Sequence, residues 1–286
     1  MKELRTIRIF LSVVFLAASV TYLFIGRGAN PMAEIAPEAQ IIPSALSATV
    51  GISVFWLIVT FLLGRVYCST VCPVGALQDS ANWLRRHLPH FLRNRQTGEV
   101  PAIVGRIARP YSYRSRSHLR LYIIAVYAIC LPLGLLWISA LVEPWHIFQE
   151  AARLTNPELR NTSWLIFAGN ALAGGLVGLV SLIAIWIWAL LHGRRFCSHV
   201  CPIGTFLEAV AERSVYRIQL DPDRCISCMA CEDNCKSEAI KVSERIVDNG
   251  RCVRCFDCLK VCPNDAIRLQ RHRNRPSTPI GVLSNK

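Results

Sequence analysis

Twelve of the thirteen cysteines in this 286-residue chain fall into four short clusters, and any fold proposed for it has to account for them first. From Cys225 the chain reads Cys-Ile-Ser-Cys-Met-Ala-Cys-Glu-Asp-Asn-Cys, and from Cys252 it reads Cys-Val-Arg-Cys-Phe-Asp-Cys-Leu-Lys-Val-Cys-Pro. Two shorter clusters, Cys68 with Cys72 and Cys197 with Cys201, are spaced C-x3-C-P. A disulfide framework would suit a small secreted domain. Tight grouping at metal-ligand spacing favours thiolates that converge on metal instead.

Both long runs are C-x2-C-x2-C-x3-C, the spacing of bacterial two-cluster ferredoxins, in which the fourth cysteine of each run crosses to the other cluster. The assignment that follows is Cys225, Cys228, Cys231 and Cys262 on one 4Fe-4S cluster, and Cys235, Cys252, Cys255 and Cys258 on the other. The segments after the fourth cysteines match as well, Ser-Glu-Ala-Ile-Lys-Val beside Asn-Asp-Ala-Ile-Arg-Leu. An α+β module duplicated within residues 220–269 is therefore expected. Zinc is the alternative, but zinc sites usually group cysteines in pairs. One departure stands out: Pro263 follows Cys262, whereas Lys236 follows Cys235. It is expected to alter packing or potential, not ligation.

Four stretches are long and apolar enough to cross a bilayer, which takes about 20 helical residues: Ile7–Ile25, Ser44–Leu63, Leu119–Val142 and Ser163–Leu191. Lys2, Arg5 and Arg8 lie at the N-terminal end of the first stretch, but no small-x-small cleavage pattern follows it, so it reads as a retained helix. Gly169, Gly174, Gly175 and Gly178 in the fourth indicate close helix packing. The formal charge of +13 is segregated: the N-terminus carries three basic residues, the stretch from Arg65 to Ser117 carries nine, and sixteen follow His192. Arg27 alone occupies the first of the other two loops, and Arg153 and Arg160 the second. Positive charge is retained on the cytoplasmic side, so a multi-pass membrane protein with both termini cytoplasmic is expected. No basic stripe interleaved with aromatics points to nucleic acid.

Gly64-Arg-Val-Tyr-Cys-Ser-Thr-Val-Cys-Pro-Val-Gly75 and Gly193-Arg-Arg-Phe-Cys-Ser-His-Val-Cys-Pro-Ile-Gly204 agree at eight of twelve positions. Each follows the cytoplasmic end of an even-numbered span. Residues 1–219 thus read as an all-α four-helix bundle of two helix-pair repeats, which would bring Cys68 and Cys72 beside Cys197 and Cys201. Interfacial helices are expected at Ala76–Leu88 and Thr205–Arg213, with Pro73 and Pro202 near their starts. Three readings of the four cysteines stay open: a third 4Fe-4S cluster, which ligand count favours, a redox-active dithiol or transient metal site, and structural cysteines.

Four spans, paired C-x3-C-P motifs and a C-terminal two-cluster ferredoxin resemble the membrane ferredoxin-type subunit of periplasmic nitrate reductase systems and its methylamine-utilisation relative. The resemblance covers essentially the whole chain. It implies a bacterial inner-membrane quinol dehydrogenase component that draws on the membrane quinol pool and feeds a periplasmic redox chain through a soluble ferredoxin-type or cytochrome acceptor. Wider kin with the same motifs assist copper enzymes, so a metal or cofactor maturation factor stands as an alternative, as does a redox-sensing regulator.

No histidine falls inside a span and no C-x-x-C-H occurs, so haem lacks support. Gly75 stands where a radical-generating loop would need its third cysteine. Quinol oxidation needs a proton acceptor, and Glu143 and His146 flank Trp145 at the outer end of the third span, a group that reads first as an aromatic interfacial anchor. His199 and Asp79 lie near the motifs on the other side. Cys130 reads as a packing residue. The loop Arg85–Arg116 reads as irregular, and residues 270–286 as a disordered basic tail.

Overall fold

The computed structural model describes residues 2–25, 39–41, 50–92, 101–130, 133, 142–156 and 171–271, and within them each apolar stretch is helical. In chain order the main helices are α1 (Lys2–Val20, continued by a π turn at Thr21–Ile25), α2 (Val50–Leu63), α3 (Pro73–Phe91), α4 (Leu119–Cys130), α5 (Pro144–Ala152), α6 (Ala171–His192) and α7 (Pro202–Ala211). Among the described residues two helices are long and apolar enough to cross a membrane, Glu3–Ile25 and Ala173–His192. The described parts of the other two expected spans, within α2 and α4, are shorter, and the rest of each lies outside the described residues. Phe10, Val13, Phe55, Ile58, Tyr122, Ile129 and Val180 all turn outward from these four helices. Faces of that kind suit hydrocarbon better than water.

The glycines of α6 serve α5. A Cβ at Gly178 would stand 2.4 Å from the Ala151 nitrogen, and one at Gly174 2.8 Å from Glu150 Oε2. The close packing expected of this stretch is therefore made with α5, a helix that the sequence did not signal, in the segment expected to follow the outer end of the third span; Gly169 lies outside the described residues. Trp145, Ile147 and Phe148 of α5 are buried in the same apolar core as Cys68 and Cys72. A second segment expected in an external loop, Ala39–Ile41, also turns inward. Trp56 Nε1 donates to the Ala39 carbonyl at 2.9 Å, and Tyr67 Oη donates to Gln40 Oε1 at 2.6 Å.

The connection read as irregular is structured along much of its described length. α3 continues through Pro89, and a short helix spans Ala102–Ile107. The chain beyond it is bound to the C-terminal module: Tyr111 N donates to Asp233 O at 3.1 Å, Tyr113 N to Glu232 Oε1 at 3.1 Å, and Arg116 pairs with Asp248 at 2.7 Å.

In that module β1 (Tyr216–Leu220) pairs antiparallel with β4 (Ile267–Arg271), and β2 (Ile240–Lys241) with β3 (Ile246–Val247). The closing pair Tyr216 with Arg271 lies outside the expected 220–269 limits at both ends. Alternate residues Ile218 and Leu220 of β1 join Ala239, Ile240, Leu259 and Ile267 in a second apolar core. Residues 272–286 of the expected tail lie outside the described residues.

Candidate iron-sulfur sites

The two cysteine runs share a backbone conformation that their side chains do not favour. Ser227, Met229 and Glu238 have positive φ, and so do Arg254, Phe256 and Asp265 at the matching positions of the second run. Left-handed non-glycine residues are costly unless the surroundings impose them, so both runs are wound alike around a common requirement. Ala239 N donates to Cys235 Sγ at 3.4 Å, and Ala266 N donates to Cys262 Sγ at 3.2 Å, again matching positions.

In space the cysteines form two groupings that cross between runs. Cys225, Cys228, Cys231 and Cys262 line one recess with Ile226, Met229 and Pro263. Burial, then Cys262 and Cys225 nearby, push the Cys231 thiol up to about 11. Cys235 is pushed up to about 12 by burial and by its neighbours Cys255 and Cys252. Crowded buried thiols of this kind resist ionising unless metal takes up the charge. Among the described residues no three His, Cys, Asp or Glu stand close enough to hold a single metal ion. A mononuclear zinc site would need its sulfurs about 2.3 Å from one centre. A cubane distributes four thiolates over four irons, and three cysteines of one run beside the fourth of the other is the donor set that a two-cluster ferredoxin uses.

The C-x3-C-P motifs are built by matching devices. Gly64 and Gly193, at φ of +83° and +68°, end α2 and α6 and turn the chain. Short helices Tyr67–Thr70 and Arg195–His199 then carry the first cysteine of each motif. The second cysteine precedes Pro73 or Pro202 as the N-cap of α3 or α7, with ψ of 118° and 120°. A Cβ at Gly75 would stand 2.1 Å from the Cys68 oxygen, and one at Gly204 2.0 Å from the Cys197 oxygen, so each glycine admits a carbonyl that any other residue would exclude.

The two motifs exchange arginines. Arg65 Nη2 donates to the Cys197 oxygen at 2.9 Å, and Arg194 Nη1 donates to the Cys68 oxygen at 2.7 Å. Arg194 is further held by Asp79 at 2.8 Å. Arg65 faces Glu208, which stands at the position matching Asp79. Cys68, Cys72, Cys197 and Cys201 are all buried in one core. Burial, opposed by Arg194 and reinforced by Cys68, leaves Cys197 at about 11.

The side chains around these four thiols are incompletely satisfied. Arg65 is fully buried, its Nη2 lies 3.9 Å from Cys68 Sγ, and its Nε and Nη1 have no hydrogen-bond partner. Gln78 Nε2 is likewise unpartnered, while its Oε1 accepts from Cys197 Sγ at 3.3 Å. A buried cation short of partners among four thiols is what an anionic thiolate cluster would complete, so the donor set fits a cubane.

The two parts of the chain meet at this site. Cys255 and Val253 belong to the same buried core as the four motif cysteines. Arg254 Nε donates to the Leu63 oxygen at 2.7 Å and packs on Gly64, while the Lys236 oxygen accepts from Arg194 N at 2.8 Å beside Gly193. Asp79 is held well below the usual carboxylate range, because Arg194, Lys236 and Arg8 outweigh its burial. It is an ionised anchor, not a proton acceptor.

Family profiles each described as a 4Fe-4S binding domain match residues 48–90 with 174–218, 218–241, and 252–266. The first covers both C-x3-C-P motifs. The chain is 30% identical over 194 residues to the methylamine utilization ferredoxin-type protein MauN of Paracoccus denitrificans, covering 68% of this chain and 56% of that protein. It is 27% identical over 198 residues to the ferredoxin-type protein NapH of Haemophilus influenzae, covering 69% and 56%. With NapH of Escherichia coli the identity is 26% over 176 residues, covering 60% and 47%. The chain is a NapH/MauN-type protein. It spans about half the length of these NapH and MauN relatives. No solved structure matches.

The remaining candidates separate. Trp145 is only 2% exposed and packs near Tyr22 in the core, so the interfacial-anchor reading fails. Glu143 caps α5 by accepting from Trp145 N and His146 N, and its Oε2 lies 2.5 Å from His146 Nδ1. Burial alone would lower the His146 pKa, but Glu143 holds it above the ordinary value. His199 stays beside its own helix, with Nδ1 at 3.3 Å from the Arg195 oxygen. Cys130 is buried on α4. Arg65, Arg194 and Gln78 were not anticipated as site residues, and Lys236 stood out only as a departure from the run expected to alter packing or potential; the Gly-Arg repeat was the visible signal for the first two.

Proposed function

We propose that this NapH/MauN-type protein is a multi-pass inner-membrane electron carrier that oxidises a hydroquinone and passes the electrons to a soluble acceptor of ferredoxin or cytochrome type. The observation that carries this reading is that Cys255 of the ferredoxin module shares a buried core with Cys68, Cys72, Cys197 and Cys201. Three cysteine sites then stand in series from the helices to the exposed Cys228.

In this reading Cys68, Cys72, Cys197 and Cys201 hold a third 4Fe-4S cluster, and the two groupings of the module hold one each. When bound, such a cluster takes up and releases single electrons. Arg65 and Arg194 hold the first-cysteine carbonyls of both motifs and supply positive charge beside the thiolates. The His146 imidazole, oriented by Glu143, would receive one of the two protons that leave as the hydroquinone is oxidised to a quinone; the second would pass to solvent water, and the two electrons would leave one at a time through the cysteine sites to the soluble acceptor. Exposed Ile226 beside Cys228 is where the soluble acceptor meets the chain. Four spans with both termini cytoplasmic agree with the outward apolar faces and the segregated charge.

The test is anaerobic reduction of the whole detergent-solubilised chain by a short-chain hydroquinone. Cluster absorbance should bleach. In Cys68→Ala, bleaching by hydroquinone should stop while dithionite still reduces the module. Bleaching at the parental rate in Cys68→Ala would refute the relay. A maturation factor would instead bind added metal at these four cysteines without hydroquinone turnover.

A further inference from the structure

The two cysteine runs differ at the residue after their fourth cysteine, Lys236 against Pro263. Lys236 is buried, with Nζ 2.7 Å from Asp79 Oδ1 and 3.3 Å from Asp257 Oδ2. Asp79 belongs to α3 and Asp257 to the module, so one ammonium bridges the two parts. Asp79 also takes Arg8 at 2.5 Å and Arg194 at 2.8 Å, while Asp257 takes Arg5 at 2.7 Å and Arg86 at 3.3 Å. Five cations thus meet two carboxylates, a formal excess of three positive charges. The excess adjoins Cys235, which precedes Lys236, and Cys255 and Cys258, which flank Asp257.

The other grouping has no such environment. Its recess is lined mainly by Leu220, Ile226, Met229, Val242 and Pro263, and the single charged lining residue is Arg224. That arginine is 53% exposed and 3.7 Å from Asp221. A cluster that accepts an electron becomes one unit more negative. Burial disfavours that state, and cations held close in a water-poor setting favour it.

We propose that Lys236 is a positioning residue for electron entry: its ammonium, fixed by Asp79 and Asp257, raises the reduction potential at Cys235, Cys252, Cys255 and Cys258. It thereby offsets the burial that would put this grouping out of reach of electrons arriving from the motif cysteines. A proline here, as in the second run, would remove both the charge and the bridge. The inference rests on the iron-sulfur reading of the two runs, and on neither the hydroquinone nor the membrane orientation.

The experiment is a mediated redox titration of the whole anaerobically purified chain, following the paramagnetic signals of the reduced clusters, with the signal lost in Cys255→Ala taken as the buried one. In Lys236→Met with parental iron content, the ratio of reduced to oxidised buried cluster at a fixed ambient potential should fall at least tenfold, about 59 mV for a one-electron couple. The exposed signal should stay where it is. Asp79→Asn should move the buried signal the opposite way, and Lys236→Arg should leave it in place; a purely structural role would not reverse sign. An unchanged buried signal in Lys236→Met overturns the proposal. If Lys236→Met loses iron, Asp79→Asn decides, and a buried potential that is unchanged or lowered there overturns it. A parent chain without two module signals overturns the ferredoxin reading and this proposal with it.

Discussion

Arg65 and Arg194 each leave their own motif to hold the other's first cysteine, Arg65 donating to the Cys197 oxygen at 2.9 Å and Arg194 to the Cys68 oxygen at 2.7 Å. Both guanidinium groups are fully buried, so the exchange takes place out of water, where a lost partner is expensive.

Arg194→Gln should therefore destabilise the protein by about 3–5 kcal/mol, the usual cost of breaking a buried ion pair from one side. It removes the donors to the Cys68 and Gly75 oxygens and one cation from Asp79. Arg194→Lys should not rescue it, because a single ammonium cannot span all three acceptors. Thermal unfolding in detergent under anaerobic conditions checks both.

Gly75→Ala and Gly204→Ala should each disturb the motif site, since the added carbon would stand 2.1 Å and 2.0 Å from a backbone oxygen. Overpacking of this kind costs about 1–3 kcal/mol. Gly51→Ala, with nothing within 4 Å of the new carbon, is the control and should be neutral. Iron content after anaerobic purification should fall in the first two variants only.

Hydroquinone oxidation should rise with pH through a value above the ordinary imidazole range, because His146 must be neutral to take a proton and Glu143, against burial, holds its pKa up. Glu143→Gln should move that transition to lower pH, and His146→Gln should abolish it. The facing charged groups are Glu143, Glu150 and Arg153. By linkage, the raised pKa adds stability that is full below the unfolded imidazole value and lost as pH rises through the folded one. A rate profile that Glu143→Gln leaves in place would exclude His146 as the acceptor.

Orientation is tested with cysteines at exposed Thr155 and Glu244, probed in intact cells. Thr155→Cys should react with an impermeant maleimide and Glu244→Cys should not. The reverse pattern would invert the proposed topology.

What could be read from the chain itself follows from range. The spacing of Cys225 to Cys262 is local chemistry, and the two runs take matching backbone conformations in space. The motif repeat was legible for the same reason. Lys236 was visible only as a departure, because its partner Asp79 lies 157 positions away. Arg65 and Arg194 were absorbed into a charge count, since sequence does not distinguish a loop cation from one buried against a carbonyl. Glu143-Pro-Trp-His146 read as the rim of a span because hydropathy carries no depth. That α5 turns back into the core depends on the glycine stripe of α6, which reads as packing without naming its partner.

Iron content bears most directly on the claim that the motif cysteines form a third cluster site. Anaerobically purified, undamaged protein should carry about twelve irons per chain, four for each cubane held by four thiolates. Cys68→Ala and Cys201→Ala should each lower this by about four and leave both module signals intact, because those ligands belong to a separate site. A count near eight in the parent, unchanged in both variants, would contradict the account and leave Cys68, Cys72, Cys197 and Cys201 as a dithiol or structural pair of motifs.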